Sequence, residues 1–347
     1  MSDTLTFDEI RRLLADLPGP DLEAATAVMQ REVQLTKPRG ALGRLESLSE
    51  WLATWQGRTP PRVQHPRVAV FAGNHGVAAL GVSAYPAAVT AQMVQNFTQG
   101  GAAVNQLCGQ ADADLRVYEL DLDNPTADFT HGPAMSEDAC ARAMAYGMMA
   151  VETGIDVLCL GEMGIGNSTS AAALCMGLFG GTAEEWVGPG TGLDADGMAR
   201  KAAVVAAGVA ANADLLSDPF QVLRALGGYE LAAIVGAIMA ARMARTPVVL
   251  DGYACTAAAA VLFKADPRAL DHCIVGHLSA EPAHRRLLDR IGQEPLLSLG
   301  MRLGEGSGAA LALPILQAAV ACHTGMSTFA EAGVATKSAV PEGRSTH

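Results

Sequence analysis

Apolar positions recur at helical spacing near the start of the chain: Phe7, Ile10, Leu13 and Leu14, then Leu42, Leu45, Leu48 and Leu52 before Trp55. This period predicts helices across residues 7–57. From residue 67 the pattern changes to short apolar runs rich in β-branched residues, each followed by a Gly-containing loop and a longer Ala-rich stretch. Arg67–Phe71, Leu115–Leu120, Ile155–Leu160, Pro247–Leu250 and Cys273–Val275 predict strands, with Leu296–Leu299 a weaker one. Continuous apolar strands are buried on both faces, and the segments between them have crossover length, so the sheet should be mostly parallel. The expected fold class is α/β, doubly wound. After Gly308 a last apolar helix runs from Ala309 towards His323, where Pro314 predicts a kink. The polar tail Lys337–His347 reads as frayed.

Composition narrows the picture. The 347 residues are 50% hydrophobic and 5% aromatic, enough for one large core and a smaller satellite unit. Glycine is abundant, at 37 residues, which suits helices packed closely on a parallel sheet. A formal net charge of −12 leaves no global basic field for nucleic acid, although a local cationic pocket for one phosphate is compatible with it. Seven cysteines are scattered without a CxxC, several inside apolar runs, and read as reduced core residues. Met1-Ser2-Asp3-Thr4 lacks the basic and apolar regions of a signal peptide, and no uncharged segment is expected to reach transmembrane length. The expectation is a cytoplasmic protein with no membrane or nucleic acid partner.

Ligands of an open parallel sheet bind beyond the carboxyl ends of its strands. Four loops meet that condition. The first contains Ala72-Gly73-Asn74-His75-Gly76-Val77 and Gly81-Val82-Ser83-Ala84-Tyr85-Pro86, followed by a helix with Gln92 and Met93. Its mixture of hydrogen-bonding groups (Asn74, Ser83, Gln92) and apolar surface suits a flat heteroaromatic base. An ordinary turn with a packed His75 fits the same residues. The second, Gly161-Glu162-Met163-Gly164-Ile165-Gly166-Asn167-Ser168-Thr169, puts Glu162 at a strand end and offers Asn167 and Ser168 as N-caps. Glu162 is equally readable as a solvated loop carboxylate. The third, Gly188-Pro189-Gly190-Thr191-Gly192-Leu193, enters a helix carrying Lys201. Gly-rich turns form concave anion sites, and a helical lysine leans towards the N-terminus, so this loop reads as a monophosphate site or as a plain turn with a solvated lysine.

The fourth loop, Leu303-Gly304-Glu305-Gly306-Ser307-Gly308-Ala309, frames a carboxylate with glycines, which makes Glu305 the best candidate general base. Its place beside a helix N-terminus should favour the anion at neutral pH. The stretch also fits a loose Gly-x-Gly-x-x-Ala dinucleotide fingerprint, the basis of a rival reading as a nicotinamide-dependent oxidoreductase. No further strand with an acidic end follows it, and Glu305 would repel a pyrophosphate. A third reading is a non-catalytic module that binds a nucleotide or a corrinoid precursor.

Taken in order and spacing, these loops resemble those of the nicotinate-nucleotide:dimethylbenzimidazole phosphoribosyltransferases of cobalamin (vitamin B12) nucleotide-loop assembly. The resemblance runs from Thr36-Lys37-Pro38-Arg39-Gly40-Ala41-Leu42-Gly43-Arg44-Leu45-Glu46 to Met326-Ser327-Thr328-Phe329. It also takes in Leu250-Asp251-Gly252-Tyr253, Gly276-His277-Leu278-Ser279-Ala280-Glu281 and Arg302–Gly308, with Ala41 standing where a serine is expected. The resemblance implies Glu305 as general base and Glu162 as a second active-site carboxylate. It implies substrate contacts from Ser83, Tyr85, Gln92, Gly164, Gly190, Thr191, Gly192, Lys201, Ser279 and Leu303, with the phosphate against Thr191, Gly192 and Lys201. The implied reaction moves the phosphoribosyl group of nicotinate mononucleotide to dimethylbenzimidazole by single displacement, with no cofactor and no metal. It further implies a homodimer, a small helical domain from both chain ends (1–60 with 309–347) and a large catalytic domain (61–308).

Overall fold

The computed structural model describes residues 5–335. Six strands form one parallel sheet: β1 (Pro66–Ala72), β2 (Asp114–Glu119), β3 (Val157–Met163), β4 (Val248–Leu250), β5 (Cys273–His277) and β6 (Pro295–Leu297), in the order β2-β1-β3-β4-β5-β6. Every residue of β1, β3 and β4 is buried, as their largely apolar sequences suit, whereas β2 alternates between exposed and half-buried positions at the sheet edge. The Ala-rich stretches form the crossover helices. One of them, Tyr229–Met243, crosses the helix Glu137–Met148 through Gly236 and Gly147. A Cβ on Gly147 would lie 1.8 Å from the Ala233 carbonyl oxygen, and one on Gly236 would lie 1.9 Å from that of Met144. The glycines are what allow these two backbones to touch.

Two compact units divide the chain: residues through Gly19 with Val63–Pro314, and Pro20–Arg62 with Ile315 onward. The expected partition therefore needs correcting at its N-terminal end. The first helix, Phe7–Ala15, belongs to the large unit because Phe7, Ile10 and Leu14 are buried in its main core, where the Phe7 ring lies 5.9 Å from that of Phe220. The smaller unit contains the helices Leu22–Glu32 and Arg44–Gln56 and the chain after Pro314. Within it Lys37 bridges Glu32 at 2.9 Å and Glu46 at 2.8 Å. Arg31 Nε donates to the His323 carbonyl at 2.9 Å, which ties the two segments of this unit together.

The last long helix, Ser307–Gly325, runs on through Pro314 as one helix. It is long and apolar enough to cross a membrane, contrary to the expectation that no uncharged segment reaches that length. Ala309, Ala310, Ala312, Leu313, Leu316 and Ala319 on it are buried, as in the core helix of a globular protein. The tail Lys337–His347 lies outside the described residues.

Candidate active site

The strand order reverses between β1 and β3, and such a switch point opens a crevice at the carboxyl ends of the strands. A cavity of about 620 Å³ lies there, lined by the ends of β3, β4 and β5, by the 190–191 and 302–305 loops and by one face of the helix Val89–Thr98.

Glu162 and Glu305 both line this cavity and both are buried, at 9% and 7% exposure. Glu162 is the penultimate residue of β3, and its Oε2 accepts a hydrogen bond from Asn167 Nδ2. Asn167 thus braces the carboxylate instead of capping the helix Asn167–Phe179, whose N-cap position is Gly166, without a side-chain cap. Glu305 is brought alongside by a backbone contact, its N–H donating to the Glu162 carbonyl at 3.2 Å. That approach depends on Gly161, where a Cβ would lie 2.3 Å from Gly306 N.

Asp251, fully buried just after β4, holds the Glu305 loop from beneath. Its Oδ2 accepts from Gly306 N at 3.1 Å, and its Oδ1 accepts from Gly308 N at 2.6 Å and Ala309 N at 2.9 Å. The amides that a dinucleotide pyrophosphate would need are therefore already occupied, which removes the structural basis of the oxidoreductase reading. Asp251 lies in one of the motifs that carry the resemblance, but nothing in its local pattern marks it as the anchor of a loop over fifty residues away.

The electrostatics follow from this crowding of acids. Burial, then the charge of Asp251, raises Glu305 to about 7. The expected preference for the anion next to a helix N-terminus is outweighed by these two effects. Burial among Asp251, Glu230 and Glu305 drives Glu162 well above the ordinary carboxylate range, opposed by the Asn167 hydrogen bond. Burial and neighbouring acids thus disfavour the anion at both carboxyls, and Glu305 is poised to gain or lose a proton near neutrality.

Gly190 and Thr191 also line the cavity, but Gly192 does not. Gly190 N–H donates to Glu281 Oε1 at 2.9 Å. Lys201 is fully buried outside the cavity lining, with its Nζ 2.9 Å from Ser168 Oγ and 3.0 Å from the Gly188 carbonyl. Burial lowers it to about 8, against the charge of Glu281. The lysine supports the wall from behind through Ser168, which does face the cavity. Sequence reasoning gave Arg302 no role, yet it lines the cavity and reaches the Gly190 carbonyl through Nη1 at 2.7 Å.

Apolar side chains of Tyr85, Val89, Met93 and Leu303 also line the cavity, and Gly164 and Ser279 lie on the lining. Gln92 and Ser83 do not. Gln92 is exposed, because the cavity face of its helix is set by Val89, Met93 and Asn96 at helical spacing. Ser83 is spent on Thr191, with 3.0 Å between the two hydroxyl oxygens. Asn74 and His75 are structural. Asn74 Nδ2 donates to the Leu122 carbonyl at 2.8 Å, and buried His75 joins Glu230 at 2.7 Å and Ser170 at 3.0 Å.

Two buried carboxylates, apolar side chains and a Gly-rich loop on one cavity are the equipment of a group-transfer enzyme. Residues 17–334 match a phosphoribosyltransferase family model. The nicotinate-nucleotide–dimethylbenzimidazole phosphoribosyltransferase of Rhizobium meliloti (strain 1021) is 60% identical over 96% of this chain and 98% of its own. Its namesake in Brucella abortus (strain S19) is 58% identical over 95% and 97%. The crystal structure of the Thermus thermophilus enzyme of that name superposes with a TM-score of 0.83 at 41% identity, covering 91% of this chain and all (100%) of that one. The chain belongs to the nicotinate-nucleotide–dimethylbenzimidazole phosphoribosyltransferase family.

Proposed function

We propose that this enzyme transfers the phosphoribosyl group of nicotinate mononucleotide to dimethylbenzimidazole, with Glu305 as general base. The observation that carries the reading is Glu305 itself, a carboxyl raised to about 7 on a glycine-framed loop that opens into the cavity beside Glu162. The flat base lies in the slot made by Tyr85, Val89, Met93 and Leu303. One ring nitrogen attacks the ribose C1′ while the other loses its proton to Glu305, and nicotinate leaves with the electrons of the glycosidic bond. The leaving pyridinium nitrogen becomes neutral, so departure is favourable, and a single displacement inverts the β-nucleotide to an α-linked product. A base matched to the working pH is suited to this proton transfer. Glu162 hydrogen-bonds the ribose and positions it for attack. The phosphate lies towards Ser168, Gly190 and Thr191, with Arg302 at the rim and Lys201 behind Ser168.

The protein is further read as a cytoplasmic homodimer. Its seven cysteines are free, six of them buried. Leu22, Met29 and Val33 leave an apolar face exposed on and just after the helix Leu22–Glu32. The direct test of the activity mixes the protein with nicotinate mononucleotide and dimethylbenzimidazole. Appearance of α-ribazole phosphate and free nicotinate in equal amounts supports the reading, and no product from the folded protein contradicts it.

A further inference from the structure

His277 ends β5 and lines the cavity at 1% exposure, yet neither ring nitrogen has a hydrogen-bond partner. Buried polar groups are almost always paired. The other buried histidines follow that rule: His75 has Glu230 and Ser170, His272 has the Ile238 carbonyl, His284 has Thr256 and the Ser279 N–H, and His323 has Glu32. Among the described residues, His277 is thus the buried imidazole left unpaired, and it is the one that faces the cavity.

Its surroundings indicate what it would meet. Nε2 lies 3.7 Å from Asp251 Oδ1, too far for a hydrogen bond, and Asp251 is already engaged with the loop that carries Glu305. In the other direction the chain passes from His277 through Ser279 to Glu281, which holds Gly190 N–H. His277 therefore shares the cavity lining with Glu305 and with the Gly190 wall. In a ribose 5-phosphate held with C1′ at Glu305 and phosphate at that wall, the groups between the two are the sugar hydroxyls. A neutral imidazole carries one donor and one acceptor, as a hydroxyl does.

We propose that His277 is a further substrate-binding residue, hydrogen-bonded to a hydroxyl of the transferred ribose. This rests on the function proposed above. The test is a cycle of enzyme and donor variants. Wild type and His277→Ala are each assayed with nicotinate mononucleotide and with its 2′-deoxy and 3′-deoxy analogues, dimethylbenzimidazole being saturating. For one of the two hydroxyls, its removal from the donor and the His277→Ala change should each lower kcat/KM about five- to tenfold. Together they should cost little more than either alone. Losses that multiply for both analogues would overturn the assignment while leaving the transferase reading intact; absence of turnover by wild type with the parent donor would overturn both. His277→Asn, which keeps a polar group in the buried site, repeats the cycle if the alanine variant does not fold.

Discussion

Glu305 has a left-handed backbone, φ 62°, between Gly304 at 80° and Gly306 at 75°. For a residue with a Cβ this conformation costs about 1–2 kcal/mol, and strain of this kind gathers at functional sites. The loop tolerates it because Asp251 and Gly161 hold the neighbouring backbone in place. The same burial that exposes Glu305 only to the cavity sets its titration. Since the base must be ionised to accept a proton, kcat/KM should rise with pH through about 7 and level off above it. The sign for stability is opposite. A carboxyl raised on folding from 4.5 to about 7 stabilises the folded protein fully below 4.5, and that contribution is lost as pH rises through 7. Thermal melts of wild type should therefore weaken relative to Glu305→Gln between about pH 5 and 8. A rate profile flat from about pH 5.5 to 8 would contradict the assigned ionisation.

At the scale of elements, the site is a set of loops held by buried side chains from adjacent strands. Asp251→Asn puts an amide where the carboxylate meets Gly306 N–H, so at least one buried donor loses its acceptor. Such a loss costs about 1–3 kcal/mol, to be read in urea denaturation, with faster hydrogen exchange at Gly306, Gly308 and Ala309 and a fall in turnover. Unchanged exchange at these amides would show that the loop is held by something else. The Gly188–Thr191 wall makes a second case. Lys201→Ala removes the ammonium behind Ser168, so calorimetry should show binding of nicotinate mononucleotide weakened far more than binding of dimethylbenzimidazole. Equal losses for both ligands would point to damaged folding.

These elements also mark what a sequence can reveal. The strands were legible because β1, β3 and β4 are buried on both faces and so read as continuous apolar runs. Glu162, Glu305 and the Gly190 loop could be placed at one cavity because they lie at strand ends and helix entries, although each also had an ordinary structural reading. Gln92 was misplaced because the turn before its helix does not fix the helix phase, which puts Val89, Met93 and Asn96 on the cavity instead. Lys201 was read as reaching a ligand directly, since local pattern does not tell a buried lysine from an exposed one. Asp251 and Arg302 gain their roles from contacts between distant segments, which no local window contains.

At the scale of the whole molecule, the boundary between the units followed core membership, and periodicity alone did not disclose that Phe7–Ala15 packs with the large unit. The exposed apolar face carrying Leu22, Met29 and Val33 bears on association, since closed homodimers commonly bury such faces. Sedimentation at micromolar concentration should give twice the chain mass, and Leu22→Glu with Met29→Glu should shift it towards monomer. A wild-type protein that sediments only as monomer would count against the dimer.

The central claim is that Glu305 removes the proton while Glu162 positions the sugar. Its most direct test is the single-turnover rate with nicotinate mononucleotide and dimethylbenzimidazole both saturating, measured for wild type, Glu305→Gln and Glu162→Gln. Glutamine keeps the volume and one acceptor but not the basicity, so Glu305→Gln should still bind both substrates and lose about a hundred- to ten-thousand-fold in rate, with Glu162→Gln losing less. Near wild-type turnover in Glu305→Gln, with turnover abolished in Glu162→Gln, would reverse the two roles and contradict the account.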